Sequence, residues 1–147
     1  MQDLHSTIYP LAVIPPVSVS NNTAQVSDVI DLAAVLNPDS DDLGGFDGLE
    51  LITAIGAIAD TDATFTQLVE DSDDDITYAP VSDTFLLGTE AEASFAKADE
   101  NTCKRIGYIG SKRYVRSTIT PANNTSAAVF GQVAVPCFAR SAAVENN

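Results

Sequence analysis

The sequence predicts an all-β chain: an antiparallel β-sandwich, jelly-roll-like, of about eight strands with a flexible N-terminal arm. Three observations point there. Short runs rich in Val, Ile, Phe, Tyr and Thr alternate with clusters of Asp, Asn, Gly, Ser and Pro at hairpin-like spacing. Helix signals are weak by comparison. The last run, SAAVFGQVAVPCFA (126 to 139), is apolar at both alternations, as a strand covered on both faces would be. A chain of 147 residues is one domain of ordinary size, able to bury a core without metal or disulfide staples.

Taken in order, the first run is LAVIPPVSVS (11 to 20). Pro15 and Pro16 confine it to a sheet edge or an extended arm, because proline donates nothing to the ladder. Residues 1 to 16 are therefore read as an N-terminal arm or edge strand, and 17 to 147 as a single sandwich domain. AQVSDVI (24 to 30) follows as a strand. Residues 28 to 36 read equally as a short helix or as a strand entering a long loop, which Pro38 and the Gly44–Gly45 pair end.

LELITAIGAI (49 to 58), ATFTQLVED (63 to 71) and ITYAP (76 to 80) are the next strands. Residues 83 to 103 have no clean period and are assigned to a long connection between sheets with one helical turn. KRIGYIG (104 to 110) and RYVRSTIT (113 to 120) are read as a hairpin turning at Gly110 and Ser111. In the closing run Val129, Val133, Val135 and Cys137 fall on one face, and Ala128, Phe130, Ala134 and Phe138 on the other. Another subunit is one candidate cover, and Cys137 is read as core.

Charge is divided by position. The formal net charge is -14, yet residues 101 to 147 carry six basic groups against Glu145 alone, while residues 1 to 100 carry 20 acidic groups against Lys97. Nucleic acid is a poor partner for such a molecule, since a duplex approaching the basic strip meets a larger negative field. No run of 18 apolar residues occurs, and MQDLHSTIYP is not of secretory type, so the expectation is a protein made in a cytoplasm with no membrane partner. Three N-x-S/T triplets, at Asn21, Asn123 and Asn124, are read as polar turns.

Motifs of chemistry fail one by one. An EF-hand loop starting at Asp71 needs Gly where Ile76 stands and an acid where Ser82 stands, so EDSDDDITY is read as a solvated turn, as is NPDSDDLGG. The single histidine is His5, and no G-x-S-x-G, H-E-x-x-H, P-loop or G-x-G-x-x-G occurs. The expectation is a non-enzyme with no cofactor and no metal site.

Five of the seven Lys and Arg residues, Lys104, Arg105, Lys112, Arg113 and Arg116, fall within thirteen positions. Val115 and Ile119 point one way, and Tyr114, Arg116 and Thr118 the other, giving a cationic, aromatic face of the kind enriched at protein interfaces. The competing reading is that these cations pair with the chain's own Asp and Glu.

At these residues the chain resembles a known family. GLELITAIGAI, DATFTQLVEDSDDDITYAPV, LLGTEAE, KRIGYIGSKRYVRSTITP and a closing apolar strand, together about residues 46 to 139, are similar in order and wording to the head decoration, cement or stabilisation proteins of tailed bacteriophages. In EDSDDDITY, Asp75 stands where the family's turn carries Gly. The resemblance implies a jelly-roll sandwich on the outside of an icosahedral shell. It implies homodimers or homotrimers that bridge subunits of the major capsid protein, on the virion exterior. The capsid-binding residues would be Lys104, Arg105, Tyr108, Lys112, Arg113, Tyr114 and Arg116. Ile8 and Tyr9 join them if docking moves to the N-terminal segment. A carbohydrate- or receptor-binding module of a head fibre or tail is the alternative the same fold can host, although the chain has no Trp and only four Tyr as platforms.

Overall fold

Strands form where the β-branched and aromatic runs lie: β1 (Leu11–Val19), β4 (Phe46–Ile58), β5 (Thr64–Ser72), β9 (Cys103–Tyr108), β10 (Tyr114–Ala122) and β11 (Ala128–Ala139). Two-residue strands fill in between: β2 (Gln25–Val26), β3 (Ile30–Asp31), β6 (Ala79–Pro80), β7 (Leu86–Leu87) and β8 (Phe95–Ala96). The computed structural model describes residue 8, residues 10–33 and residues 45–139. The proposed arm before Ile8, the acidic loop at 37 to 44, His5 and the side chain of Phe138 lie outside the described residues.

Two antiparallel sheets form a sandwich. One has the order β1-β11-β4-β9-β7, and the other β2-β10-β5-β6, with β3 also on β10 and β8 also on β5. From β4 onward the long strands alternate between the sheets, with β4, β9 and β11 in the first and β5 and β10 in the second. First and last strands are neighbours, so the chain closes on itself through β1 and β11.

Four local expectations change. β9 and β10 are not a hairpin: β9 pairs with β4 and β10 with β5, so residues 109 to 113 cross from one sheet to the other. The boundary at residue 16 falls inside β1, which runs through Pro15 and Pro16 to Val19 as an edge strand with register shifts between Ala12 and Val17. The 24 to 30 run breaks at Ser27, because that residue exchanges hydrogen bonds with Ser117 of one sheet while the Asp28 amide donates to Val13 of the other. Finally, 76 to 80 is strand only at Ala79–Pro80, and Ile76 is 83% exposed. In the long connection, the helical turn is α1 (Glu90–Ala93), held by a Thr89–Glu92 capping box.

The core has an internal division that no single strand reveals. On β4 the inward sequence is Leu51, Thr53, Ile55; on β5 Phe65, Gln67, Val69; on β10 Val115, Ser117, Ile119; on β11 Phe130, Gln132, Ala134. A polar residue sits mid-strand on each, with apolar residues two positions to either side. The four polar residues form one layer separating two apolar clusters, one around Tyr108 and Phe46, the other around the Phe65, Phe95 and Phe130 rings. Gln132 Nε2 donates to Thr53 Oγ1 and to Gln67 Oε1, each at 3.0 Å, and Gln67 Nε2 donates to Ser117 Oγ. Gln132 Oε1 has no protein donor among the described residues.

Strand edges are closed by side chains where short strands leave gaps. Between β8 and β6, the exposed-edge amides of Gln67 and Val69 donate to Ser94 Oγ and Glu90 Oε1, both supplied by the α1 turn. Such closure removes the template for edge-to-edge pairing.

Candidate functional site

The basic block and the acidic turn, 30 to 40 residues apart in sequence, meet at one end of the sandwich. Their hinge is Tyr108, the last residue of β9, which is fully buried. Its hydroxyl donates to Asp71 Oδ2 at 2.9 Å and accepts the Lys112 amide at 3.2 Å, so the crossing segment wraps over the phenol. Gly110 makes that wrap possible, since a Cβ there would collide with the Tyr108 hydroxyl. Burial, with the Asp71 carboxylate beside it, pushes the Tyr108 hydroxyl well above the usual phenol range. Tyr108 is thus a core residue with no surface to offer a capsid partner, contrary to the expectation from the resemblance.

Each cation of the strip has an acidic neighbour. Lys104 meets Asp99 at 3.0 Å, and Lys112 meets Asp71 at 3.4 Å. Arg113 holds Asp31 through two 2.8 Å bonds, a fork-on-fork pair that raises the guanidinium pKa. Arg116 donates to Glu70 at 2.9 Å and lies 4.0 Å over the Tyr78 ring. Arg105 is the exception in degree: its side chain is 80% exposed and stands 3.8 Å from Glu50. The self-pairing reading is the one the geometry supports.

Nor do the candidates share one face. Arg105 alternates with buried Ile106 and lies on the outer face of the five-stranded sheet. Tyr114 and Arg116 alternate with buried Val115 and Ser117 and lie on the outer face of the other sheet. Lys112 and Arg113 sit between, on the end of the sandwich. A hairpin would keep the strip continuous on one sheet; the crossing from β9 to β10 splits it between the two. Ile8 is half-buried, and Tyr9 is outside the described residues.

The acidic turn is built from within. The Asp74 carboxylate accepts the Ser72 hydroxyl and the Ile76 and Thr77 amides, and these donors lower its pKa to about 2. Asp75 takes the left-handed conformation, φ 59°, which Asp adopts more readily than most residues with a Cβ. Its carboxylate accepts the Tyr78 hydroxyl, which burial and this bond push up to about 12. Among the described residues, no three Asp, Glu, His or Cys side chains are grouped to hold a metal ion.

A pH prediction follows from Asp74. Its folded pKa is depressed, so its contribution is complete above the ordinary carboxylate value near 3.8 and fades as pH falls toward about 2. The protection of the Ile76 and Thr77 amides against exchange, measured by NMR and referred to the intrinsic rate at each pH, is expected to fall across that window. Asp74→Asn should make that protection independent of pH.

Sequence reasoning missed Asp31, Glu50, Glu70 and Asp99 as partners. The arithmetic signal was present in the chain's acidic excess, but which acid meets which cation depends on strands up to 82 residues apart. Cys137 was misplaced as well: it is half-buried on the outer face beside Glu50, while Pro136 takes the inward position.

No family model matches the chain, and no curated protein does. Among solved structures, it is similar to the N-terminal CBM22-1–GH10 modules of the Clostridium thermocellum endo-1,4-beta-D-xylanase 10B, complexed with xylohexaose. Identity is 12% over 96% of this chain and 28% of that one, with a TM-score of 0.42. The chain thus spans under a third of that protein's length. Its class is an antiparallel β-sandwich.

Proposed function

We propose that this chain is a non-enzymatic virion protein that binds the outer surface of an assembled phage head and stabilises capsomer junctions. The reading is carried by the resemblance across residues 46 to 139, whose two most specific blocks, EDSDDDITY and Lys104 to Arg116, pack on each other through Asp71, Tyr108 and Lys112. Docking falls to the end of the sandwich that presents Lys112 and Arg113. Leu11 packs into the same half of the core as Tyr108 and Val115, so Ile8 and Pro10 lead into that end as well. Many weak contacts of this kind gain by repetition over a shell.

The alternative, a sugar- or receptor-binding module, has less support. The ring of Tyr78 is covered by Arg116, Tyr108 is buried, and Arg113 lies 4.9 Å over Tyr114, so none of these three rings is a bare platform.

Co-sedimentation of the purified chain with matching expanded heads tests the reading. Saturation at a fixed ratio to capsid subunits is expected, with weaker binding at high salt. Arg113→Gln should reduce head binding several-fold while leaving the stability of the fold nearly unchanged, as expected for an exposed pair. Absence of binding at any salt concentration would sink the proposal.

A further inference from the structure

We propose that the polar layer of the core is the binding site of an internal water molecule, which donates to Gln132 Oε1 and accepts the Thr53 hydroxyl. The proposal concerns the interior of the sandwich and stands independently of the capsid reading.

A buried side-chain carbonyl is normally paired with a donor. Gln132 is 1% exposed, yet no described residue donates to its Oε1. Exchanging the oxygen and nitrogen positions of the amide is the usual remedy for such an orphan. Here that remedy is closed. Gln67 Nε2 donates to the Leu68 carbonyl at 3.1 Å and to Ser117 Oγ, which fixes the Gln67 amide and leaves its Oε1 turned to Gln132. Gln132 must therefore present Nε2 to Gln67, and its Oε1 is the atom left over.

A complementary surplus lies beside it. Gln132 Nε2 uses its two hydrogens on Thr53 Oγ1 and Gln67 Oε1. The Thr53 hydroxyl is thus an acceptor in that bond, and its own hydrogen has no acceptor among the described residues. Thr53 is also the cross-strand partner of Gln132 in the β11–β4 register, so the orphan acceptor and the orphan donor belong to neighbours. Neither hydroxyl of the layer reaches Gln132 Oε1 directly. Water carries both a donor and an acceptor, so one molecule joins the two groups and closes a ring with the existing bond from Gln132 Nε2 to Thr53 Oγ1.

The surroundings select water over other occupants. No charged residue belongs to the layer, so an ion of either sign would be buried without a counter-charge. Apolar clusters lie on both sides of it and offer no further polar partners to a larger polar molecule. Room is present at this height because the side chains are short. Ser117 stands between Val115 and Ile119 on β10, and Thr53 between Leu51 and Ile55 on β4. A water takes about 30 Å³, less than the difference between a serine and an isoleucine side chain.

High-resolution diffraction from the unaltered chain is the first test. Density for one water within hydrogen-bond distance of both Gln132 Oε1 and Thr53 Oγ1 is expected. In solution, oxygen-17 relaxation dispersion counts long-lived internal waters and is blind to hydroxyl proton exchange. Thr53→Val is expected to lower that count by one, and Thr53→Ser, which keeps the hydroxyl, to leave it unchanged. Both variants should retain the β-type circular dichroism spectrum. Asn124 Oδ1, the other buried acceptor without a partner among the described residues, is common to all three chains and cancels in the difference. No density at Gln132 Oε1, a protein donor in that place, or a count that Thr53→Val leaves unchanged would each overturn the proposal. The diffraction result decides even if Thr53→Val fails to fold.

Discussion

Replacing Gln132 by leucine is expected to destabilise the chain by about 2–4 kcal/mol, because it leaves buried acceptors with no donor. Thr53 Oγ1 and Gln67 Oε1 both receive Gln132 Nε2, and both residues are about 2% exposed. A leucine side chain fills much of the same volume, so cavity formation is a minor contribution and the loss reports on the hydrogen bonds. The companion experiment replaces the whole layer: Thr53→Val, Gln67→Leu, Ser117→Ala and Gln132→Leu. That variant is expected to recover most of the loss, since Gln132 Oε1 already lacks a protein donor and an apolar layer removes every desolvation cost at once. Urea unfolding measures both. A fourfold variant weaker than the single one would show that the four residues do not act as a network. The gain is expected to come with broader amide resonances, because a uniformly apolar interior specifies strand register less sharply than one with a polar layer at a single height.

The second large effect is at Tyr108. Tyr108→Ala is expected to cost about 3–5 kcal/mol, the range for emptying a buried aromatic site. Tyr108→Phe should cost about 1–3 kcal/mol by removing the donor to Asp71, itself 7% exposed, and the acceptor for the Lys112 amide. In contrast, Arg113→Ala and Lys104→Ala remove partly exposed pairs, and each should cost less than either Tyr108 variant. The order matters more than the values. If the cation variants proved the more damaging, the crossing between β9 and β10 would be held by its salt bridges and not by the phenol it wraps.

Some of the site was legible beforehand. The solvated-turn reading of EDSDDDITY holds for Asp73 to Thr77, whereas Asp71 and Ser72 are buried at the end of β5. An Asx-type turn is made by bonds two and three residues long, as from the Ile76 and Thr77 amides to Asp74. The strip of cations was visible as a count, and the self-pairing reading was available. Its partners were not, because Glu70 lies 46 residues from Arg116 and Asp31 lies 82 residues from Arg113. The hairpin at Gly110 failed for a related reason. Its turn residues are the right type for a two-residue loop, and nothing local says whether the next strand pairs with the last or crosses the sandwich.

The sequence by itself determined that this chain is an antiparallel β-sandwich, where its long strands run, and that its acids far exceed its bases. All three follow from local properties: side-chain period, backbone preference at Gly, Pro and Asp, and composition. Tertiary structure alone decided which strands share a sheet, that the basic strip is split between opposite faces, that Tyr108 is buried, and that Thr53, Gln67, Ser117 and Gln132 lie at one height. Hydrogen bonds such as Gln132 to Thr53, 79 residues apart, hold that arrangement. They form only once loop closure has brought the strands together, so no window of sequence contains both ends.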